Sequence, residues 1–167
     1  PWGRYLDIDG DAIPYRTLPG THPTMGSFFT RGTSHDEYAR YTEDGTIHAR
    51  VLDRIRRKFD TAATLVPKPD IQTRDKSGKT GVIYFGATRP AVLEGLDMLE
   101  KDGIKLNALR LKAFPFTEEV KAFCAAHDRI FVIEQNRDGQ MRSLLMTEAN
   151  VPGDKLIATL NYDGTPM

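Results

Sequence analysis

The stretch RIFVIEQNRDGQMRSLL, residues 129–145, decides the fold because it joins a strand pattern to a helix pattern across a short polar turn. Residues 130–133 form a continuous apolar run, which is typical of a strand buried on both faces of a parallel sheet. Asp138 and Gly139 favour a turn, and an amphipathic helix pattern follows. The polar residues 134–136 at the strand end have two interpretations of equal weight: a hydrogen-bonded strand exit, or a contact site for a ligand or neighbouring domain.

The same alternation of strand and helix patterns extends outward from this stretch. Short apolar runs alternate with amphipathic helices that carry cap signals, including Pro90, Gly103 and Thr117. The order is β-α-β-α-β-α-β, with strands in residues 82–85, 108–111, 129–136 and 155–164. This order predicts an α/β fold, a three-layer αβα arrangement with a mainly parallel sheet.

The first half of the chain has a different character. Residues 1–45 form an irregular arm that is rich in proline, glycine and aromatic residues. Free linkers are poor in aromatics, so we expect this arm to pack onto a surface that is missing from this chain. Residues 46–65 have the period of one amphipathic helix, with Thr46 as its expected N-cap. Residues 66–81 are expected to form a linker.

Composition excludes several classes of protein. The chain has 167 residues with 23 basic and 23 acidic side chains, which argues against a dedicated nucleic-acid binder. Its single cysteine cannot form an internal disulfide, and we therefore expect a reducing, cytoplasmic environment. No apolar stretch approaches membrane-spanning length, so we expect no membrane partner. Because the sequence opens on Pro1 and not on Met, we expect a piece of a longer polypeptide.

Three short motifs favour structural interpretations. SGKTG, residues 77–81, lacks the upstream glycine of a phosphate-binding loop and precedes a strand, so we reject that function. DIDGD, residues 7–11, lacks the Gly and Glu spacing of an EF-hand, and a turn is favoured over a calcium site. Cys124 has no partner at metal-ligand spacing and is expected to be a buried, inert thiol. His127 lies near the C-terminus of the same helix, where it would suit the helix dipole in a structural role.

RGTSHDEYARY, residues 31–41, contains Ser34 and Glu37 at capping-box spacing, which favours a helix start. The functional alternative is a polar cluster presented to a ligand or subunit, in which His35 and Asp36 could exchange protons. No nucleophile is recognisable nearby, so the helix start is the preferred interpretation.

Six stretches together resemble a known family, the alpha subunit of 2-oxoacid:acceptor oxidoreductases, and most of all its 2-oxoglutarate:ferredoxin type. They are RYLDIDGDAIPYRTLPGTHP (4–23), TRGTSHDEYARYTEDG (30–45), GVIYFGAT (81–88), LRLKAFPF (109–116), FVIEQNRDGQMRSLL (131–145) and YDGTPM (162–167). The likeness runs from Arg4 to Met167 but covers only the C-terminal part of that subunit.

The resemblance implies a domain organisation and a parent enzyme. Residues 1–70 would be the tail of a pyrimidine-binding domain with a connecting helix, and residues 80–167 a transketolase C-terminal-like domain. The parent enzyme would use thiamine diphosphate, Mg, an iron–sulfur cluster and coenzyme A to convert a 2-oxoacid into an acyl-CoA. Its partners would be a beta subunit, the missing N-terminal domains of the alpha subunit and a ferredoxin-type acceptor.

The resemblance also implies that no catalytic, cofactor-binding or metal-binding residue of the parent enzyme lies in this chain. The segment would have a structural and assembly role and would be inactive alone. Its expected contacts with neighbouring domains or subunits are Arg16, Arg31, His35, Asp36, Glu134, Gln135, Asn136 and Arg137. The alternative is a free-standing α/β module that binds a nucleotide or coenzyme near residues 86–88 and 134–136.

Overall fold

The computed structural model describes residues 2–24, 26, 34–165 and 167. The chain divides into two compact units, Pro1–Leu65 and Val66–Met167. Among the described residues, no helix is long and apolar enough to span a bilayer. Each unit is described by itself below.

In its described residues, unit 1 consists of the helix α1 (Gly45–Leu65) and an irregular arm that contacts it. The arm is held by side-chain bonds from the helix: Arg54 Nη1 donates to Ala12 O at 2.9 Å, and Thr61 Oγ1 donates to Asp11 O at 2.6 Å. The arm therefore finds at least part of its packing surface on α1.

Two cap predictions in unit 1 are wrong, and in both an aspartate is the reason. Asp44 Oδ1 accepts the backbone N–H of Thr46 at 2.8 Å, so Asp44 caps α1 and Thr46 lies inside the helix. Ser34 does not start a helix. Residues 34–41 form a turn closed by a bridge between His35 and Tyr41, because Asp36 Oδ1 accepts the backbone N–H groups of residues 38 and 40.

Unit 2 contains a five-stranded sheet. The strands are β1 (Asp70–Gln72), β2 (Thr80–Phe85), β3 (Asn107–Leu111), β4 (Arg129–Glu134) and β5 (Leu156–Leu160). Their spatial order is β1-β3-β2-β4-β5, and only β1 runs antiparallel to its neighbour. The predicted mainly parallel sheet is confirmed.

Three helices complete the layers: α2 (Arg89–Lys101), α3 (Glu118–Ala126) and α4 (Gln140–Glu148). Val92 and Leu96 of α2 pack with one face of the sheet. Val120 of α3 and Leu145 of α4 belong to the core on the other face. The predicted three-layer αβα arrangement is thus present, with one helix on one side and two on the other.

The predicted linker, residues 66–81, contains regular structure. Edge strand β1 lies within it, and β2 already begins at Thr80. Ile71 pairs with Leu109 of β3, and Asp70 Oδ1 forms an ion pair with Lys112 Nζ at 2.5 Å. Three residues are too few to show an alternating pattern, so only the pairing with β3 defines this strand.

Candidate functional site

The carboxyl ends of β2 and β4 form the point at which the order of the sheet reverses. The chain leaves β2 toward β3 on one side, and leaves β4 toward β5 on the other. Such a switch point leaves a crevice outside the strand ends, where α/β proteins commonly bind ligands or partners. Here the crevice has a volume of about 490 Å³ and is called the switch-point pocket. It is lined by Phe85, Gly86, Ala87, Thr88, Gln135, Asn136, Gln140, Met141 and Leu144.

The buried side chain of Glu134 positions the turn and the helix end that form one wall of this pocket. Its side chain is 0% exposed. One carboxylate oxygen accepts the backbone N–H of Met141 at 2.7 Å and the side-chain amide of Asn136 at 2.8 Å. The other accepts the backbone N–H of Arg142 at 2.9 Å. The buried carboxylate therefore satisfies two free N–H groups in the first turn of α4, where a negative charge is favoured by the helix dipole.

Asn136 holds the turn between β4 and α4. Its Oδ1 accepts the backbone N–H of Asp138 at 3.1 Å and that of Gln140 at 3.3 Å. Gly139 takes the left-handed conformation with φ of 60°, which glycine adopts without steric cost. Glu134 and Asn136 together explain why an apolar strand ends in polar side chains: they build the entry into the next helix.

The four predicted contact residues at this edge separate into two pairs. Gln135 and Arg137 are exposed, and Gln135 lines the pocket. Arg137 Nε donates to the neighbouring Asp138 carboxylate at 2.7 Å. Glu134 is fully buried and positions the turn within the unit, and its predicted contact with a neighbouring domain or subunit stays a prediction. Contact through Gln135, Asn136 and Arg137 stays a prediction.

The opposite wall of the switch-point pocket is the loop after β2. Gly86 adopts a φ of 62°, and Thr88 Oγ1 donates to Phe85 O at 2.8 Å. These two features turn the chain from the strand into α2. They leave the hydroxyl of Thr88 engaged with the backbone.

Three of the four predicted contact residues of unit 1 lie in the described part of the chain. Arg16 is exposed, and Arg31 lies outside the described residues. The His35 ring stacks on Tyr5 with a centroid separation of 4.1 Å, and its Nδ1 donates to Asp36 O at 3.0 Å. Asp36 stabilises the turn described above, so His35 and Asp36 both serve the local structure of the arm.

An apolar groove along α2 is a feature that the sequence analysis missed. The groove has a volume of about 520 Å³ and runs between α2 and strands β4 and β5. Its lining is almost entirely apolar and includes Val82, Leu99, Ile104, Phe131 and Ile133. The signal available in the sequence is the full apolar run of β4, which needs cover on both faces.

The structure also contains a buried polar cluster at the amino ends of the strands, of which the sequence analysis predicted only the role of His127. The Nδ1–H of His127 donates to Phe123 O at 2.7 Å, and its Nε2 accepts the Asn107 amide at 3.0 Å. Asn107 Oδ1 accepts the backbone N–H groups of Arg74 and Asp75, each at 3.0 Å. The cluster ties the segment before β2 to α3, a structural role that extends the one expected for His127.

The residues of this chain do not fit an iron–sulfur cluster. A cubane cluster needs four thiolates, and the sequence has one cysteine. Burial raises the pKa of the Cys124 thiol to about 11, which keeps it protonated. Asp7, Asp9 and Asp11 lie close together, but their carboxylates accept hydrogen bonds from the turn itself, in agreement with the predicted Asp–Gly turn.

The fold and the switch-point pocket define unit 2 as an α/β domain with a mainly parallel sheet. No protein-family profile matches the chain. A curated relative, 2-oxoacid:ferredoxin oxidoreductase 2, subunit alpha, from Aeropyrum pernix, is 26% identical over 168 residues, which cover 98% of this chain and 25% of the relative. The alpha subunit from Saccharolobus solfataricus is 24% identical over 140 residues, 81% of this chain and 22% of that subunit.

A solved structure gives the same result for the fold. It is the 2-oxoglutarate:ferredoxin oxidoreductase from Magnetococcus marinus with 2-oxoglutarate, coenzyme A and succinyl-CoA bound. The TM-score is 0.81 at 22% identity, over 99% of this chain and 28% of that chain. The resemblance found in the sequence is confirmed: the chain is similar, over nearly its full length, to alpha subunits of 2-oxoacid:ferredoxin oxidoreductases. It spans about a quarter of the length of these relatives.

Proposed function

We propose that this chain is a structural and assembly segment of the alpha subunit of a 2-oxoacid:ferredoxin oxidoreductase. The observation that carries the proposal is the match of 98% of the chain to one quarter of such a subunit. The parent enzyme would oxidatively decarboxylate a 2-oxoacid, with 2-oxoglutarate as the favoured substrate, and form an acyl-CoA. A free-standing nucleotide- or coenzyme-binding module is not favoured, because in the relatives the matching segment is a minor part of a longer subunit.

The cofactors of the parent reaction would be bound by other parts of the assembly. An iron–sulfur cluster needs several thiolates, whereas this chain has the single buried Cys124, and the carboxylates of Asp7 and Asp11 accept hydrogen bonds from their own turn. A beta subunit, further domains of the alpha subunit and a ferredoxin-type acceptor would complete the enzyme. The isolated chain would then have no oxidoreductase activity.

The switch-point pocket is the proposed contact surface of unit 2. Gln135 and Gln140 offer exposed amides beside the apolar side chains of Met141 and Leu144. An apolar centre with a polar, hydrogen-bonding rim is the usual anatomy of a protein interface. The hydrogen bonds that the buried Glu134 accepts from Asn136 and Met141 would hold this part of the rim in one geometry before the partner binds.

The apolar groove along α2 supports the same role. Exposed apolar patches of this kind mark interaction sites, because leaving them in water is unfavourable. We propose that the groove is covered by another part of the same alpha subunit, since the curated relatives contain about three quarters of their length beyond the matched region. Unit 1, through Arg16, Arg31, His35 and Asp36, would supply a further contact.

Hydrogen–deuterium exchange of the native complex and of the isolated 167-residue chain tests this proposal. We expect slower exchange in the complex at residues 135–140 and in the strands that line the apolar groove. Arg137→Glu should weaken the assembly by reversing an exposed charge at the proposed contact. Arg129→Glu is the matched control, because Arg129 is exposed at the opposite end of β4. Equal exchange in both samples, or equal weakening by both substitutions, would contradict the proposal.

A further inference from the structure

Unit 1 contains a polar cavity of about 240 Å³ between the arm and α1. Three arginines of the helix line it: Arg50, Arg54 and Arg57. Their spacing of four and three residues places them on one face of α1. Asp7 and Glu37 face them from the arm. This cavity is called the arginine pocket.

Arg54 is the buried member of the arginine pocket. Its side chain belongs to a residue that is 7% exposed, and Nη1 donates to Ala12 O at 2.9 Å. Its Nε is buried and has no hydrogen-bond acceptor among the described residues. Burial lowers the pKa of this guanidinium, because removal of water disfavours the charged form. A buried donor on a charged group that lacks an acceptor calls for a partner.

The two carboxylates of the arginine pocket pair with the two outer arginines of the same pocket. Glu37 pairs with Arg50 at 2.5 Å, and Asp7 Oδ2 pairs with Arg57 at 3.4 Å. Asp7 Oδ1 also accepts the backbone N–H groups of residues 10 and 12. Among the described residues, each outer arginine thus has a carboxylate within ion-pair distance, whereas the guanidinium of Arg54 has none and is attracted to Asp7 and Glu37 only at longer range. The pocket carries one positive charge in excess.

We propose that the arginine pocket binds the carboxylate group of a small aliphatic acid, with its oxygens against the guanidinium of Arg54. A carboxylate has the planar shape and the single negative charge that match one guanidinium. Leu6 and Val51 line the same cavity and would contact the aliphatic chain. Phosphate is less suitable, because its second negative charge would face Asp7 and Glu37 at short range.

The test is a titration of the 167-residue chain with butyrate, followed by ¹⁵N NMR at constant ionic strength. The Nε–H of Arg54, sheltered from water, should give a resolved side-chain signal that butyrate shifts in a saturable way. Butyramide has the same shape without the charge and should shift it by less than about a tenth as much at equal concentration. Equal shifts with butyrate and butyramide, or none with either, would overturn the proposal.

Three variants define the site, and binding is followed in them through the backbone amides of α1. Arg54→Gln should weaken butyrate binding at least about tenfold. Arg54→Lys retains the charge without the planar fork, and it gives a second reading if Arg54→Gln fails to fold by circular dichroism. Arg56→Gln, at an exposed position outside the pocket, should bind as the unmodified chain does. Unchanged binding by both Arg54 variants, or tighter binding of inorganic phosphate than of butyrate, would refute the assignment.

Discussion

Replacing Glu134 with glutamine tests whether the buried carboxylate determines the geometry of the switch-point pocket. The two side chains have nearly the same volume, so the substitution changes charge and hydrogen bonding with little effect on packing. One amide oxygen can still accept from Met141 and Asn136. The amide NH₂ would then face the backbone N–H of Arg142, so that the 2.9 Å bond is lost and two donors oppose each other.

The magnitude follows from these contacts. A hydrogen bond to a charged group contributes about 1.5–3 kcal/mol. A carboxylate at a helix N-terminus adds about 0.3–2 kcal/mol through the dipole. Removing a buried charge relieves part of its desolvation penalty, which offsets some of the loss. We therefore expect Glu134→Gln to lower the free energy of unfolding by about 2–3 kcal/mol.

Urea denaturation of the whole chain, followed by far-UV circular dichroism, measures this change. With an m-value of about 2 kcal/mol/M, the midpoint should fall by about 1–1.5 M. Amide exchange at Met141 and Arg142 should also accelerate, because their acceptor is weakened. Glu148→Gln is the control, an exposed glutamate in the same helix, and should change stability by less than about 0.5 kcal/mol. A similarly small effect of Glu134→Gln would refute the positioning role.

Three further outcomes are expected. Gly86→Ala should lower the free energy of unfolding, measured by urea denaturation, by about 1–2 kcal/mol, because residue 86 has a φ of 62°. Gly95→Ala lies within α2 with no atom near the added carbon and should raise that free energy by about 0.5–1 kcal/mol. A reversed order would contradict the backbone geometry. Cys124, with its pKa raised to about 11, should react with a disulfide reagent at pH 8 only as fast as the chain unfolds, and prompt reaction would show it to be accessible. The hydrogen bond from Lys68 lowers the pKa of Glu119 from 4.5 to about 2, so the stability that this bond contributes is complete above about pH 4.5 and is lost as the pH falls toward 2. Glu119→Gln should therefore make the melting temperature depend less on pH across that range. An unchanged dependence of melting temperature on pH would refute the pairing.

The helices and buried strands of unit 2 could be predicted from the sequence because their signals are local. The apolar stripe of α2 repeats at helical spacing, with Pro90 in its first turn and Gly103 just beyond its end. Strand β4 is a continuous apolar run that only a two-sided core can bury. These patterns involve residues that are close together in the sequence, so they can be recognised without knowledge of the tertiary structure.

Strand β1 could not be predicted because its extended conformation depends on pairing with β3. Residues 70–72 have mixed polarity and are mostly exposed, and their extended form depends on the pairing of Asp70 with Arg110 and of Ile71 with Leu109. The distance in sequence between the two strands hides this pairing. The same holds for the turn at His35, where a hydrogen-bonding aspartate competed successfully with a capping box.

The candidate site was predictable in position but not in the division of roles within it. The sequence placed a polar cluster at the carboxyl end of a parallel strand, and the structure places it at the switch point. It could not show that Glu134 turns inward while Gln135 and Arg137 face solvent, because that depends on the path of the turn through Gly139. The arginine pocket was also hidden, since it needs an arm residue, Asp7, to approach α1 from far along the chain.

The most direct test of the central claim is the intact mass and partner content of the native protein, captured from a lysate of its own cells with an antibody against this chain. The assembly role predicts that the captured polypeptide is about four times longer than 167 residues, as in the relatives. It should be accompanied by a second subunit and by iron. Capture of a 167-residue polypeptide alone, without iron or a partner, would contradict the account.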